Sequence, residues 1–177
     1  AGQGGRRQGA AHPGRLTAVG VTLASVRFSE KAALRAVFDP YLIAHADVVD
    51  PERVHGDPTL YEHFYAYWVE PERRPFWILR DGERAGFILI NRWAPSGQAI
   101  DHAIAEFCVL PGSRGKGVGQ ATVGATLSTY PSQWELQVYR ATLPAIAFWP
   151  KALAASGARD WERIEREDRI IHRFRGG

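Results

Sequence analysis

Residues Arg114-Gly115-Lys116-Gly117-Val118-Gly119 bring glycines and cations together between two apolar runs. The run from Ala103 to Leu110 reads as a buried strand, and the run from Gln120 to Leu127 as a helix. A strand that breaks into glycines at a helix start makes an anion site. The first backbone N–H groups of a helix have no intrahelical partner, and the helix dipole adds roughly half a positive charge at that end. Glycine removes the Cβ that would hold a phosphate away from those amides, and Arg114 and Lys116 add charge. The segment predicts a phosphate-bearing ligand at a definite place.

Just upstream, Glu106 stands inside the apolar strand. Burial there would raise its proton affinity toward the range of a general base acting directly or through water. The competing reading is a carboxylate that faces solvent or pairs with an arginine. Cys108 shares its face by strand alternation, but no histidine stands at a spacing that would activate it. It reads as a small core side chain.

These residues need a sheet and helices to position them. Val21 to Phe28 is β-prone and reads as a first strand. Ser29 caps a helix from Glu30 to Phe38, Asp39-Pro40 interrupts it, and Tyr41 to Ala46 continues as a second piece. Residues 47 to 60 read as a loop. Phe76 to Arg80 and Ala85 to Ile90 flank Asp81-Gly82-Glu83, a strong hairpin signal. A further arm runs from about Ile100 to Leu110, followed by the glycine turn and a helix to about Tyr130. A strand from Trp134 to Val138 comes next, then a helix from Pro144 to Ala154 that Pro150 distorts. Short strands near Trp161–Ile164 and Ile170–Phe174 end the chain. The order predicts an α/β (α+β) domain, a mixed sheet flanked by helices, over residues 17–177. Residues 1–16 are rich in Gly and Arg, nearly without large apolar side chains, and read as a mobile tail.

Composition narrows the function. The 177 residues are 45% hydrophobic and 23% charged, ordinary for a globular protein. No apolar run approaches the ~20 residues of a membrane-spanning helix, so no membrane association is expected. The N-terminal stretch lacks the apolar core of a signal peptide, and a single cysteine excludes a disulfide framework, so a cytoplasmic setting is expected. The net charge of +3 equals the contribution of Arg6, Arg7 and Arg15 in the tail, and the rest of the chain is balanced. No basic face for nucleic acid is visible. His45, His55 and His63 show no metal-ligand spacing and read as solvated loop residues; no metal is expected.

Three phosphate-binding patterns compete for the glycine segment. The P-loop pattern fails because Gly112 is too close and Gly117 stands where Ser or Thr should bind magnesium. The dinucleotide pattern begins at Gly115 and Gly117 but meets Gln120 where a third glycine belongs. The third pattern, Arg/Gln-x-x-Gly-x-Gly/Ala between a strand and a helix, is met in full. It resembles the acyl-CoA pyrophosphate loop of the GNAT superfamily of N-acetyltransferases. Glu106-Phe-Cys-Val-Leu-Pro111 resembles that family's fourth strand. Leu143-Pro-Ala-Ile-Ala-Phe-Trp149 resembles its last long helix, which in one branch of predicted acetyltransferases carries a similar run.

The resemblance implies a mostly antiparallel central sheet whose fourth and fifth strands splay at a bulge. It implies an acyltransferase that moves an acetyl group from acetyl-CoA to a primary amine of a small molecule by direct attack. The amides of Arg114, Gly115, Lys116, Gly117, Val118 and Gly119 would hold the pyrophosphate. Backbone groups of Phe107, Cys108 and Val109 would pair with the pantetheine arm, and Thr142 stands where many members carry an Asn at the last helix. Glu106 would be the base. Trp149 occupies the position of a tyrosine proposed to protonate the leaving thiolate, and Tyr139 is a substitute for that acid. Tyr61, Tyr65, Trp68, His102 and Trp149 are candidate acceptor-binding residues, the cluster from Tyr61 to Trp68 reading equally as core or lid. A homodimer is among the states the resemblance allows. The alternatives are a non-catalytic acyl-CoA-binding module of the same fold and a protein or peptide N-acetyltransferase.

Overall fold

Asp81 and Gly82 both take positive φ, 53° and 85°, the backbone that lets a two-residue turn match the twist of the strands it joins. They close a hairpin of β2 (Arg74–Arg80) and β3 (Glu83–Asn91), in which Arg80 pairs with Glu83. A computed structural model describes residues 20–49 and 61–177 of the chain. Around the hairpin lie β1 (Val21–Ser25), α1 (Lys31–Val49), β4 (His102–Val109), α2 (Val118–Thr129), β5 (Gln133–Tyr139), α3 (Leu143–Ala155), β6 (Arg159–Glu165) and β7 (Arg169–Arg175). They form one seven-stranded sheet in the order β1-β2-β3-β4-β5-β7-β6. Every pairing is antiparallel except β4 with β5. The expected mixed sheet flanked by helices is thus the fold. The expected tail, residues 1–16, and residues 50–60 of the expected loop lie outside the described residues.

The two sheet faces carry separate cores. On one, α2 and α3 cover Ile78, Ile88, Ile90, Ile104, Trp134, Leu136 and Phe174. On the other, α1 lays Leu34 and Phe38 over Trp77, Phe87, Leu89 and Cys108. Burying a side chain of this size is worth about 1.5–3 kcal/mol, so these faces dictate which helix segments persist.

That explains where the helices differ from expectation. Asp39-Pro40 does not interrupt α1, which runs unbroken across Pro40 and through residues 47–49, expected as loop. Proline removes a backbone donor and strains the preceding turn. Here Leu34 and Phe38 before it and Tyr41 and Leu42 after it all pack into one cluster, and that packing holds the helix through the lost bond. As expected, α3 runs across Pro150, with Trp149, Ala152 and Leu153 buried on either side. The first strand ends at Ser25, earlier than expected, and Phe28 is 61% exposed in a single 3-10 turn.

Candidate active site

The glycine segment forms a tight turn from the end of β4 into α2. The N–H of Leu110 still bonds to the carbonyl of Ala85 at 2.8 Å, and Pro111–Ser113 then makes one 3-10 turn. Gly115 and Gly117 adopt φ of 70° and 75°, a region that costs an L-residue roughly 1–2 kcal/mol. Gly117 is the N-cap of α2, no side chain caps the helix, and its first turn holds no acid. The first intrahelical bond runs from the N–H of Ala121 to the carbonyl of Gly117 at 3.0 Å. The amides of Val118 to Gln120 are therefore without an intrahelical partner, at the positive end of the helix. Arg114 Nε donates to the Val109 carbonyl at 2.8 Å and Lys116 Nζ to the Gly112 carbonyl at 2.7 Å, so both cations fold back over the turn. A helix start that supplies two cations and no anion of its own suits a phosphate ligand.

Gly119 has a second duty that its sequence pattern hides. A Cβ there would sit 3.0 Å from the ring of Phe148. Its missing side chain lets α3 close onto the first turn of α2, rather than serving only the approach of a ligand.

β4 and β5 pair only over His102–Ile104 with Trp134–Leu136. Beyond that point the register of β4 against β3 slips, with Ile90 opposite Ile104 but Leu89 opposite Glu106, leaving Ala105 as the extra residue of a bulge. The bulge bends β4, and the strands splay. Phe107, Cys108 and Val109 follow it along an edge that β5 no longer pairs. The ring of Phe107 turns to the α3 side, stacked on Phe148 with centroids 5.8 Å apart and edge-on to Trp149 at 5.2 Å. Cys108 is buried on the α1 side, and burial pushes its thiol up from the ordinary range. A protonated, buried thiol fits the core role expected of it.

Glu106 also points to the α1 side. Tyr41 Oη donates to its Oε2 at 2.7 Å, a charge-assisted bond and stronger than a neutral one. Burial, with the Glu106 charge adding to it, pushes the phenols of Tyr41 and Tyr61 well above the usual tyrosine range. Tyr67 is pushed up to about 12, mainly by burial. Tyr41 therefore keeps its proton and acts as a donor. Its ring is stacked on Phe38, and His45, one helical turn on, packs over it at 4.4 Å. His45 Nδ1 donates to the Tyr41 carbonyl at 2.7 Å. Tyr61 packs edge-on against Phe38. The Arg73 guanidinium lies between the rings of Tyr67 and Trp93, 5.5 and 4.0 Å from their centroids, with its Nε held by Glu70.

The candidate acceptor residues scatter. Tyr61 stands beside Glu106. Tyr65 is 63% exposed under the Lys31 ammonium. Trp68 donates to the Val26 carbonyl at 2.8 Å, beyond β1 and three strands from β4. Trp149 is buried in the α3 core. His102 lies at the opposite end of β4, between the rings of Tyr130 and Trp134. Thr142 is the N-cap of α3 and makes no side-chain cap. Tyr139 ends β5 with the Arg169 guanidinium 5.1 Å above its ring. His45 is a helical residue rather than the solvated loop residue expected, and His55 lies outside the described residues.

Tyr41 bonds to Glu106 and Tyr67 feels its charge, with Arg73 against the Tyr67 ring; the sequence singled out neither Tyr41 nor Arg73, and Tyr67 only as part of the aromatic run. For Tyr41 a signal existed: Leu34, Phe38, Tyr41 and His45 follow the i, i+4, i+7, i+11 spacing of one helix face. Placing a break at Pro40 cut that series in two.

Residues 41–154 match the model of the Acetyltransferase (GNAT) family. No curated protein sequence matches the chain. Among solved structures, an acetyltransferase from Thermus thermophilus superposes with a TM-score of 0.63 at 16% identity, covering 90% of this chain and 99% of its own. The AAC(6')-Ib complex with ribostamycin and coenzyme A gives 0.61 at 13% identity, with 88% and 93% covered. The ribosomal-protein-S18-alanine N-acetyltransferase from Escherichia coli gives 0.58 at 15%, with 89% and 94% covered. At these identities the likeness is one of fold.

Proposed function

The chain belongs to the Acetyltransferase (GNAT) family, and from that premise we propose that it transfers an acetyl group from acetyl-CoA to a primary amine of a small molecule. One observation carries the proposal: a single strand, β4, ends in the glycine turn at the start of α2 and carries the Tyr41-bonded carboxylate of Glu106 at the bulge where it leaves β5. Anion site, exposed strand edge and base lie along one strand in the order the reaction needs.

Acetyl-CoA supplies an activated thioester. The amides of Val118 to Gln120, with Arg114 and Lys116, hold its pyrophosphate, and the edge of Phe107 to Val109 aligns its pantetheine arm. An N–H of that edge aimed at the developing oxyanion contributes about 3 kcal/mol. Glu106 accepts a proton from the acceptor ammonium, directly or through water. The free amine then attacks the thioester carbonyl to form the N–C bond, and as the C–S bond breaks the nitrogen sheds its second proton, to water or to the departing thiolate, leaving the amide and coenzyme A. The sulfur leaves with its electron pair, and with a free-thiol pKa of ~8.5 it needs little help from an acid. That suits a site whose Trp149 has an indole N–H that does not dissociate near neutral pH. The rings of Tyr41 and Tyr61 beside Glu106 favour a compact amine over a peptide chain.

Thiol release from acetyl-CoA, measured against a panel of small amines and N-terminal peptides, tests this. Release with small amines, lost in Glu106→Gln while coenzyme A still binds, is the expected result. Coenzyme A binding without turnover on any amine would leave a binding module, and peptide-only turnover would reassign the acceptor. Failure to bind coenzyme A would remove the reading altogether.

A further inference from the structure

A second basic site lies at the far end of the sheet from the glycine turn. Arg74 opens β2, Arg92 follows β3, Asp101 precedes β4 and His102 opens it, Gln133 opens β5 and Arg175 closes β7. These strand ends converge on a basin of about 600 Å³. Its floor is fixed. The Arg74 guanidinium lies 5.1 Å above the Tyr130 ring, and His102 is wedged between Tyr130 and Trp134 at 5.3 and 4.8 Å.

The charges in the basin do not cancel. Asp101 is the one side-chain carboxylate of its lining, and an oxygen of it is taken by the Gln133 N–H at 2.9 Å. Among the described residues Arg74, Arg92 and Arg175 form no ion pair. His102 is held below the ordinary histidine range, first by burial and then by Arg74, with Arg92 acting the same way against Asp101. It counts as neutral near pH 7. Three guanidinium groups against one carboxylate leave about two positive charges, the complement of a phosphate monoester, which carries nearly two negative ones at pH 7. Guanidinium forks bind such oxygens two at a time.

We propose that this basin binds a phosphate monoester, as a site separate from the transfer site. Two geometric facts keep them apart. Val109, where the glycine turn begins, is seven residues along β4 from His102, about 23 Å of extended chain. Arg74 and His102 lie on the α2/α3 face with Phe76, Ile90 and Trp134, whereas Glu106 lies on the α1 face. The site owes nothing to the identity of the acceptor and stands or falls apart from the acetyl-transfer reading.

The test is calorimetric titration of the whole chain with phenyl phosphate at low ionic strength, where exposed charges are least screened, with and without saturating coenzyme A. Binding that persists in coenzyme A, falls at least tenfold in Arg74→Ala/Arg92→Ala, and is far weaker for the monoanion phenyl sulfate is expected. Arg74→Lys/Arg92→Lys should retain part of it. Circular dichroism and unchanged coenzyme A binding would establish that the double variants are folded. Equal affinity in Arg74→Ala/Arg92→Ala would overturn the proposal. So would loss of phenyl phosphate binding on adding coenzyme A, which would assign it to the glycine turn. Tight binding of duplex DNA with none of phenyl phosphate would also overturn it, by making the patch a macromolecular surface.

Discussion

Gly86 is where the fold and the proposed cofactor edge depend on one missing methyl group. It pairs with Val109 across β3 and β4, and a Cβ built on it would lie 2.1 Å from the carbonyl oxygen of Cys108, with Ile78 Cδ1 at 3.1 Å. The oxygen belongs to the backbone and cannot rotate away. Restoring ordinary contact requires β4 to shift by roughly 1 Å or more against atoms that pack best at about 3.5–4 Å. Overpacking of this kind costs about 1–3 kcal/mol, offset by no more than about 1 kcal/mol from replacing glycine within a strand. A 2.1 Å contact with a backbone atom puts the cost in the upper part of that range, so the net loss is about 1–2 kcal/mol; at about 2–4 °C per kcal/mol for a chain of this size, Gly86→Ala should lower Tm by roughly 2–8 °C. The displaced segment carries the Val109 carbonyl that receives Arg114, so coenzyme A affinity should fall with it. Gly124→Ala is the control: it lies inside α2 with open space around the new Cβ, and should raise Tm through a helix propensity gain of about 1 kcal/mol. Both can be read by thermal unfolding followed by circular dichroism, with coenzyme A titration alongside. A Gly86→Ala protein that melts at or above the parent temperature, while Gly124→Ala behaves as stated, would mean that Gly86 does not face Cys108 and that the β3–β4 register is wrong.

Gly117→Ala places a Cβ at φ 75°, so it should lose about 1–2 kcal/mol of stability and bind coenzyme A at least tenfold more weakly by titration. Tyr41→Phe removes the donor to Glu106; the loss of a hydrogen bond to a charged group, about 1.5–3 kcal/mol, should appear in kcat for the amine as a drop of tenfold or more, with KM for acetyl-CoA unchanged. Glu135 is fully buried and paired with Arg173 at 2.6 Å, and Glu135→Ala leaves that guanidinium without its partner, so chemical denaturation should show a loss of about 3–5 kcal/mol. His172 is lowered from 6.5 to about 4, chiefly by burial, and its Nδ1 accepts the Trp161 indole N–H. The unfolded chain therefore protonates this residue first as pH falls, and stability should decline from pH 6.5 to about 4. His172→Phe should flatten that part of the Tm–pH curve.

What was legible in the sequence was local chemistry whose meaning needs no distant partner. The Asp81-Gly82 hairpin and the glycine turn are of this kind, because positive φ and uncapped amides are set by the residues at the spot. β6 carries an unread signal of the same sort. Its Arg-Asp-Trp-Glu-Arg-Ile-Glu is almost wholly exposed while β7 is buried, and that charge marks β6 as the strand fit for the sheet edge. What was not legible depends on pairing and packing at long range. No local pattern in Ile104-Ala105-Glu106 announces the bulge, which only the family resemblance implied; it falls where β4 parts from β5 while staying paired with β3. Pro40 is a helix breaker by local rule, overruled by the apolar face on which its helix lies. The aromatic run from Tyr61 to Trp68 divides for the same reason. Its 3-10 turn sends Tyr67 into the core beside Tyr61 and leaves Tyr65 in solvent, so a run that looks uniform contributes only some of its rings to the Glu106 site. Gly119 shows the limit most sharply. Its identity fits a phosphate loop, but its missing Cβ is filled by Phe148, so the glycine that completes the motif also sets how closely α3 can approach the turn.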